Sequence, residues 1–228
     1  MQLELKFLGR GAAFNPAFGN TNAYLTIGDD LFFMDFGESA FDKAVKRLRL
    51  DSRSRIVVLL THLHADHAGS LASLISYSHC VLKKQVLVVH PITTVVEMLR
   101  LQGIAPSFYD YSPTLPAGFP IEAEALEVRH AEDMRCFGYF LTSGNERIFY
   151  SGDTSRLHER VREELLAGKL TRVYHDIASS DSASHCYVQR IVEAVPEALR
   201  ARVYAMHLDG DYADALQTLG FSVVEVVA

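Results

Sequence analysis

Residues 61 to 69 read Thr61-His62-Leu63-His64-Ala65-Asp66-His67-Ala68-Gly69, which puts four side chains able to bind a metal within six residues. Imidazole and carboxylate together suit zinc and its first-row neighbours, and the run holds no thiolate. The chemistry such a cluster supports is metal-assisted hydrolysis; the alternative is a polar loop that happens to be rich in histidine. A cluster of this kind needs a rigid element to aim it. Arg55-Ile56-Val57-Val58-Leu59-Leu60 precedes it directly, and that apolar run reads as a buried strand. A strand ending in a turn can direct closely spaced imidazoles and a carboxylate at one point in space.

The same arrangement of strand followed by ligand-type residue recurs. His130 follows Ala125-Leu126-Glu127-Val128-Arg129, Asp153 follows Ile148-Phe149-Tyr150-Ser151-Gly152, and His207 follows Val203-Tyr204-Ala205-Met206. Strands are predicted at 3–8, 22–27 and 31–35, with Gly28-Asp29-Asp30 as a hairpin turn. Further strands are predicted at 86–90, 123–128, 138–142, 147–150, 172–175, 202–206 and 221–227. Helices are predicted over 39–50, 70–76, 93–102, 156–167 and 187–194. No linker or short repeat interrupts the chain, so one domain over residues 1–228 is expected. Strands ending in polar residues in both halves favour two sheets meeting at a shared edge, an α/β fold of αββα type.

Composition narrows the function. Of 228 residues 49% are apolar, enough for a sizeable core, and the net charge is −6. That acidic balance excludes a broad phosphate-gripping surface, so no stable nucleic-acid binding is expected. The basic stretch from Lys43 to Arg55, with Lys46, Arg47, Arg49 and Arg53, alternates with apolar residues and reads as a solvated helix face and loop. Cys80, Cys136 and Cys186 are odd in number and far apart, which suggests neither a disulfide framework nor a thiolate zinc site. Cys136 and Cys186 nonetheless fall close in sequence to candidate site histidines. The amino terminus enters a strand-like alternation without a basic-then-apolar signal segment, and no apolar stretch reaches the length of a membrane span. A cytoplasmic protein with no membrane association is expected.

Taken together, these residues resemble the metallo-β-lactamase superfamily. Its HxHxDH signature stands intact at His62, His64, Asp66 and His67, and its later His, Asp and His fall in order at His130, Asp153 and His207. The resemblance runs from Leu5 to about Asp211. It implies the metallo-β-lactamase αββα sandwich, two mixed sheets flanked by helices. It also implies two divalent metal ions, zinc first and manganese as the second choice. His62, His64 and His130 would hold one ion and Asp66, His67 and His207 the other, with Asp153 bridging. One such ion lowers the pKa of water from about 15.7 to about 7; two, roughly 3.5–4 Å apart, also neutralise charge on a phosphoryl group.

The bridging Asp153 points away from β-lactam hydrolysis. Phe7-Leu8-Gly9-Arg10-Gly11-Ala12-Ala13 and Phe33-Met34-Asp35-Phe36-Gly37-Glu38 look like the opening of ribonuclease Z relatives, a phosphodiesterase branch. Tyr174-His175-Asp176-Ile177-Ala178 looks like a diverged form of that branch's HEAT sequence, and Ser184-His185 falls where it carries an HS pair. On that resemblance His185 would donate a proton to the leaving oxygen or stabilise the transition state. The alternative is an exposed histidine at a helix start capped by Ser184. Asp66, orienting the hydroxide while ligating, and His175 are the other catalytic candidates; the His175-Asp176 pair can instead orient a ligand from behind.

Ribonuclease Z carries its tRNA-gripping arm between the third His and the bridging Asp. Here that interval is 23 residues, room for a hairpin. The chain is therefore similar to the small cyclic-nucleotide phosphodiesterases of the superfamily, including the anti-Pycsar enzymes that phages use to clear cyclic-nucleotide immune signals. The resemblance implies hydroxide attack on phosphorus, a small nucleotide as partner, and a homodimer by family habit. A ribonuclease Z-type tRNA 3′ endonuclease is one alternative. An ester, lactone or thioester hydrolase is another, and a silent binding protein of the same fold a third. Asn15, Asn20 and Asn22 read as turn residues beside an early glycine-rich loop. The three aromatics between Pro106 and Pro113 read as a loop able to stack on a base, meet a second copy or pack locally. His79, His90 and His158 read as structural or exposed.

Overall fold

Every residue from Ile56 to Leu60 is buried, because the strand they form is covered on both faces. The computed structural model describes residues 3–227; residues 1, 2 and 228, the ends of the expected domain span, lie outside the described residues. The first sheet has six strands in sequence order, β1 (Lys6–Gly9), β2 (Asn22–Ile27), β3 (Asp30–Met34), β4 (Arg55–Leu59), β5 (Val86–Val89) and β6 (Tyr109–Ser112). β1 to β3 are antiparallel, and β3 to β6 run parallel. The second sheet mirrors this plan with β7 (Glu122–Val128), β8 (Cys136–Ser143), β9 (Glu146–Tyr150), β10 (Arg172–Asp176), β11 (Val203–Met206) and β12 (Ser222–Val223). β7 to β9 are antiparallel and β9 to β12 parallel. Both sheets are thus mixed.

The period-2 alternation of strand side chains divides the apolar residues among three cores. Phe32, Met34, Val57 and Leu59 meet Tyr139, Leu141, Ile148 and Tyr150 between the sheets. Leu31, Phe33, Ile56 and Val58 face the other way. They pack on α1 (Ala40–Arg47), the short α2 (Ala65–Ala68), α3 (Leu71–Tyr77) and α4 (Thr94–Leu101). The opposite outer core joins Phe140, Phe149 and Val173 to α5 (Glu159–Leu166), α6 (Val188–Ala194), α7 (Glu197–Arg200) and α8 (Ala213–Thr218). The layers are helix, sheet, sheet, helix, as the sequence resemblance implies. No helix among the described residues is long and apolar enough to cross a membrane.

Several elements differ from the sequence expectations. The predicted helix over 39–50 stops at Arg47, and Arg49 at φ 46° turns the chain into a short 3₁₀ turn, Leu50–Ser52. The helix predicted from 156 begins at Glu159, where His158 Nδ1 accepts the backbone N–H of Arg160 as an N-cap. The closing strand is only Ser222–Val223, with Val226 making a single bridge to Phe7. The segment between Pro106 and Pro113 is not a loop. It forms a 3₁₀ turn and the strand β6, and its rings pack locally: Tyr109 is buried, Tyr111 Oη donates to the His90 carbonyl at 2.9 Å, and Phe108 stacks on His79. Flanking prolines hide a short edge strand from a reading of sequence pattern.

Candidate metal centre

β4 ends at Leu59, and the chain carries His62 and His64 outward before turning once as α2, which presents Asp66 and His67. Consecutive helical residues point about 100° apart, so Asp66 and His67 can approach one point from different sides. The turn is clamped from behind by the segment after β3. Phe36 N–H donates to the His67 carbonyl at 2.6 Å and Glu38 N–H to the Ala65 carbonyl at 3.1 Å. Gly37 lies between them, and a Cβ there would overlap the Asp66 carbonyl, so only glycine lets the two backbones pass.

Hydrogen-bond partners behind three imidazoles fix which nitrogen faces inward, and a carboxylate stands behind a fourth. His67 Nδ1–H donates to Asp35 at 2.9 Å, and His130 Nδ1–H donates to the Ser184 carbonyl at 2.9 Å. Thr61 Oγ1 donates to Asp35 at 3.0 Å, which leaves it to accept from His62 Nδ1–H, also at 3.0 Å. His207 Nδ1 faces Asp176 at 3.6 Å. In each of the four, Nε2 is the nitrogen turned to the centre. Two groups of donors lie side by side, each within 4.8 Å: His62, His64 and His130 in one, and Asp66, His67, Asp153 and His207 in the other; a third, Asp153, Asp176, His185 and His207, overlaps the second.

Distances within the groups suit a cation. His62 Nε2 is 3.0 Å and His130 Nε2 is 3.3 Å from His64 Nδ1. Four donors placed about 2.0–2.1 Å from a shared centre, as zinc holds them, stand roughly 3.3 Å apart along a tetrahedral edge. His67 Nε2 is 3.2 Å from both Asp66 Oδ2 and Asp153 Oδ1, and His207 Nε2 is 3.2 Å from Asp66 Oδ2. Asp153 faces histidines of both groups: its Oδ2 is 3.3 Å from His207 Nε2, 3.6 Å from His130 Nε2 and 3.9 Å from His62 Nε2. Gly152, at φ 57°, makes the turn that lays this carboxylate across the site. His67 Nε2 and Asp153 Oδ1 are buried without a hydrogen-bond partner. A buried polar atom left so is explained by an ion that the site is built to hold. The residues fit a divalent metal centre.

The electrostatics agree. Burial pushes His62 well below the usual imidazole value and lowers His130 too, so both offer neutral donors. Burial also opposes charge on His67 and His207, but the carboxylates outweigh it, Asp153 foremost. His67 is held well above the usual value and His207 is pushed up to about 10. Burial works against ionised Asp66 and Asp153 as well, yet the facing His207 and His67 hold both far below the carboxylate range. A bound cation replaces those imidazole protons and releases them.

His185 completes the cavity wall. Its ring centre lies 4.9 Å from those of both His130 and His207, and its Nδ1 is 2.8 Å from Asp176 Oδ2. Burial lowers its pKa, but the Asp176 carboxylate outweighs that and raises it. Ser184 is no cap. α6 starts at Val188, and the Ser182 hydroxyl accepts the backbone N–H of His185 instead. The His175 assignment is corrected. β10 alternates, so Asp176 shares the inward face with Tyr174, while His175 is turned away, fully buried with Nδ1 on its neighbour's carbonyl at 2.7 Å. Asp176, not His175, reaches the site.

Asp35 is the functional residue that sequence reasoning left unassigned. Its two oxygens accept from Thr61 N–H, Thr61 Oγ1, His67 and Tyr150 Oη, with φ at 65°. Its signal was a carboxylate closing a strand in Phe33-Met34-Asp35-Phe36-Gly37-Glu38. The turn reading of the three asparagines is corrected: Asn22 opens β2 and its Oδ1 accepts Gly37 N–H, Asn20 bridges Gly11 and its Oδ1 accepts Ser39 N–H, and Asn15, between two turns, donates to the Leu208 carbonyl. Cys136 and Cys186 are buried, which pushes their thiols up to about 11 and about 12; they offer no thiolate. His64, Asp66, His130, Asp153, His185 and His207 line an open cavity of about 800 Å³, within the range of small-ligand sites.

The sequence profile described as Anti-Pycsar protein Apyc1 matches residues 3–224. The chain is 25% identical over 246 residues to the Anti-Pycsar protein Apyc1 of Bacillus phage 010DV004, covering 96% of this chain and 93% of that protein. It is 25% identical over 237 residues to the protein of the same name from Paenibacillus harenae, covering 94% and 93%. Its fold is similar to that of the metallo-β-lactamase fold protein YhfI from Bacillus subtilis, with a TM-score of 0.76 at 17% identity over 98% of this chain and 95% of that one.

Proposed function

Since this chain belongs to the Anti-Pycsar protein Apyc1 family, we propose that it is a metal-dependent phosphodiesterase that opens a small cyclic nucleotide. The coarser reading, a metal-dependent hydrolase, rests on the donor groups themselves. The observation that carries the finer one is Asp153, whose carboxylate faces histidines of both groups. When bound, two divalent ions, zinc or alternatively manganese, supply Lewis acidity and lower the pKa of water toward neutrality. His62, His64 and His130 would hold one, Asp66, His67 and His207 the other.

The remaining chemistry belongs to the chain. His185, oriented by Asp176, whose carboxylate raises its pKa, stands at the cavity wall and donates a proton to the leaving oxygen. Asp66 orients the nucleophile from the floor of the cavity. Among the described residues no Lys or Arg lines this cavity, whereas Glu38 and Asp209 do. Such a wall tolerates one phosphodiester charge at the metal centre and disfavours a polyanion. The interval from His130 to Asp153 is filled by β8 and β9, a hairpin with no arm to grip tRNA. A small nucleotide as partner and a homodimer as the assembly form part of this reading, the latter tested by sedimentation.

The test is to incubate metal-loaded protein with 3′,5′-cyclic mononucleotides, pre-tRNA and a lactone, alongside His64→Ala. Opening of a cyclic nucleotide, lost in the variant, supports the reading. Turnover of pre-tRNA or lactone alone overturns it and leaves the hydrolase.

A further inference from the structure

The metal centre accounts for the phosphate and leaves the rest of the substrate without a partner. At the cavity wall stands Phe14, which is 99% exposed. A lone exposed apolar residue usually means little. This one differs in where it is held. Its loop is fastened to Leu208, the residue after His207: Leu208 N–H donates to the Arg10 carbonyl at 2.8 Å, while Ala12 N–H and Asn15 Nδ2 both donate to the Leu208 carbonyl at 3.0 Å. The backbone that carries the ring is therefore held at a fixed place relative to the His207 side of the centre. Phe18, four residues on, packs into the outer core beneath the helices and lies under the Arg10 guanidinium. The loop packs Phe18 partly against that core, yet leaves Phe14 in water.

The charge of the cavity narrows what Phe14 can meet. With Glu38 and Asp209 on the wall, and no Lys or Arg among the described residues there, attraction to anionic groups comes from the metal centre and from His185 beside it. Affinity for the remainder of a nucleotide has to come from an uncharged, planar contact. Building on the phosphodiesterase reading, we propose that Phe14 is the platform on which the substrate's base stacks. Every base has a π-face, so such a platform raises affinity without selecting one base. It acts on binding and leaves the chemical step alone.

The chain contains no tryptophan, so Phe14→Trp places a single, selectively excitable tryptophan at the platform. The metal-loaded variant is titrated with a hydrolysis-resistant phosphorothioate of 3′,5′-cyclic AMP, and separately with base-free ribose 3′,5′-cyclic phosphate. Saturable quenching by the first and none by the second is expected. Phe14→Ala should raise KM for cyclic AMP roughly 5- to 100-fold and leave kcat within about twofold, with Phe14→Tyr close to the parent. Equal responses to both probes, or no quenching by the phosphorothioate while cyclic AMP is still hydrolysed, would overturn the proposal. So would an emission shift that follows protein concentration without nucleotide, which assigns Phe14 to a contact between copies. If the parent protein opens no cyclic nucleotide the phosphodiesterase reading fails, and selective quenching would still establish the platform.

Discussion

Asp176 holds His185 by a 2.8 Å contact from Oδ2 to Nδ1, and its other oxygen faces Nδ1 of His207, 3.6 Å away. One buried carboxylate thus orients a candidate acid and lies beside a candidate metal ligand. The Thr154 backbone N–H, donating to Oδ2 at 3.1 Å, keeps it in place. Residues in this position behind a ligand typically change metal affinity or activity by about 10–100-fold when replaced.

Asp176→Asn is accordingly expected to lower kcat about 10–100-fold on a cyclic nucleotide while KM changes little. Asp176→Glu should restore part of the loss. Steady-state kinetics with metal content measured in parallel decides the matter. A kcat close to that of the parent would reduce Asp176 to a space-filling residue.

Gly37→Ala should be far more damaging than a surface Gly→Ala change. The new Cβ would overlap the Asp66 carbonyl, so the turn bearing Asp66 and His67 must move. Displacements of about 1 Å in a catalytic constellation can lower rates about 100-fold. Loss of bound metal in elemental analysis, with the circular dichroism of a folded protein, is the expected outcome.

How much of this was legible beforehand differs from residue to residue. The cluster from His62 to His67 could be read because its spacing is local and an apolar strand delivers it. His130, Asp153 and His207 could be placed only by family order, since sheet pairing brings them together from distant parts of the chain. His175 and Asp176 show the limit most clearly. Adjacent residues on a strand face opposite ways, and the parity is set by Tyr174 packing between the sheets, which sequence alone does not reveal. Asp35 was visible as part of a motif, but its three partner residues come from the segment after β4, from α2 and from β9, and its role exists only in the assembled fold. Phe14 had no signal at all, because exposure is a property of the surroundings.

Away from the site, Glu164 accepts from Arg147 Nε at 2.8 Å and Arg160 Nε at 3.0 Å. Burial raises its pKa, but the two guanidiniums outweigh that and leave it lowered from the ordinary 4.5. A carboxyl depressed in the folded state stabilises at pH values above 4.5, and that contribution fades as pH falls through the folded value. The pair is near the surface, so the contribution should stay below about 1 kcal/mol. Glu164→Gln is expected to be slightly less stable than the parent in urea at pH 7, and the gap should close progressively below pH 4.5. A gap that is constant with pH would remove the ion pair as its cause.

The donor groups make distinct expectations for metal content. His64 belongs only to the group with His62 and His130, whereas Asp153 faces histidines of both. His64→Ala should therefore retain one tightly held ion per chain in elemental analysis, and Asp153→Asn should weaken both. Chelation of the parent protein removes ligands that bind only the folded state. With metal at about 1,000 times its Kd, binding stabilises by about 4 kcal/mol, which corresponds to roughly 10 °C in Tm for a domain of this size. The chelated protein should melt about that much lower and recover on addition of zinc. The increment on re-addition should be partial in His64→Ala and smallest in Asp153→Asn, where neither group has its shared carboxylate. Equal metal content in the two variants would mean that the groups do not share Asp153, and two independent ions would replace the bridged pair.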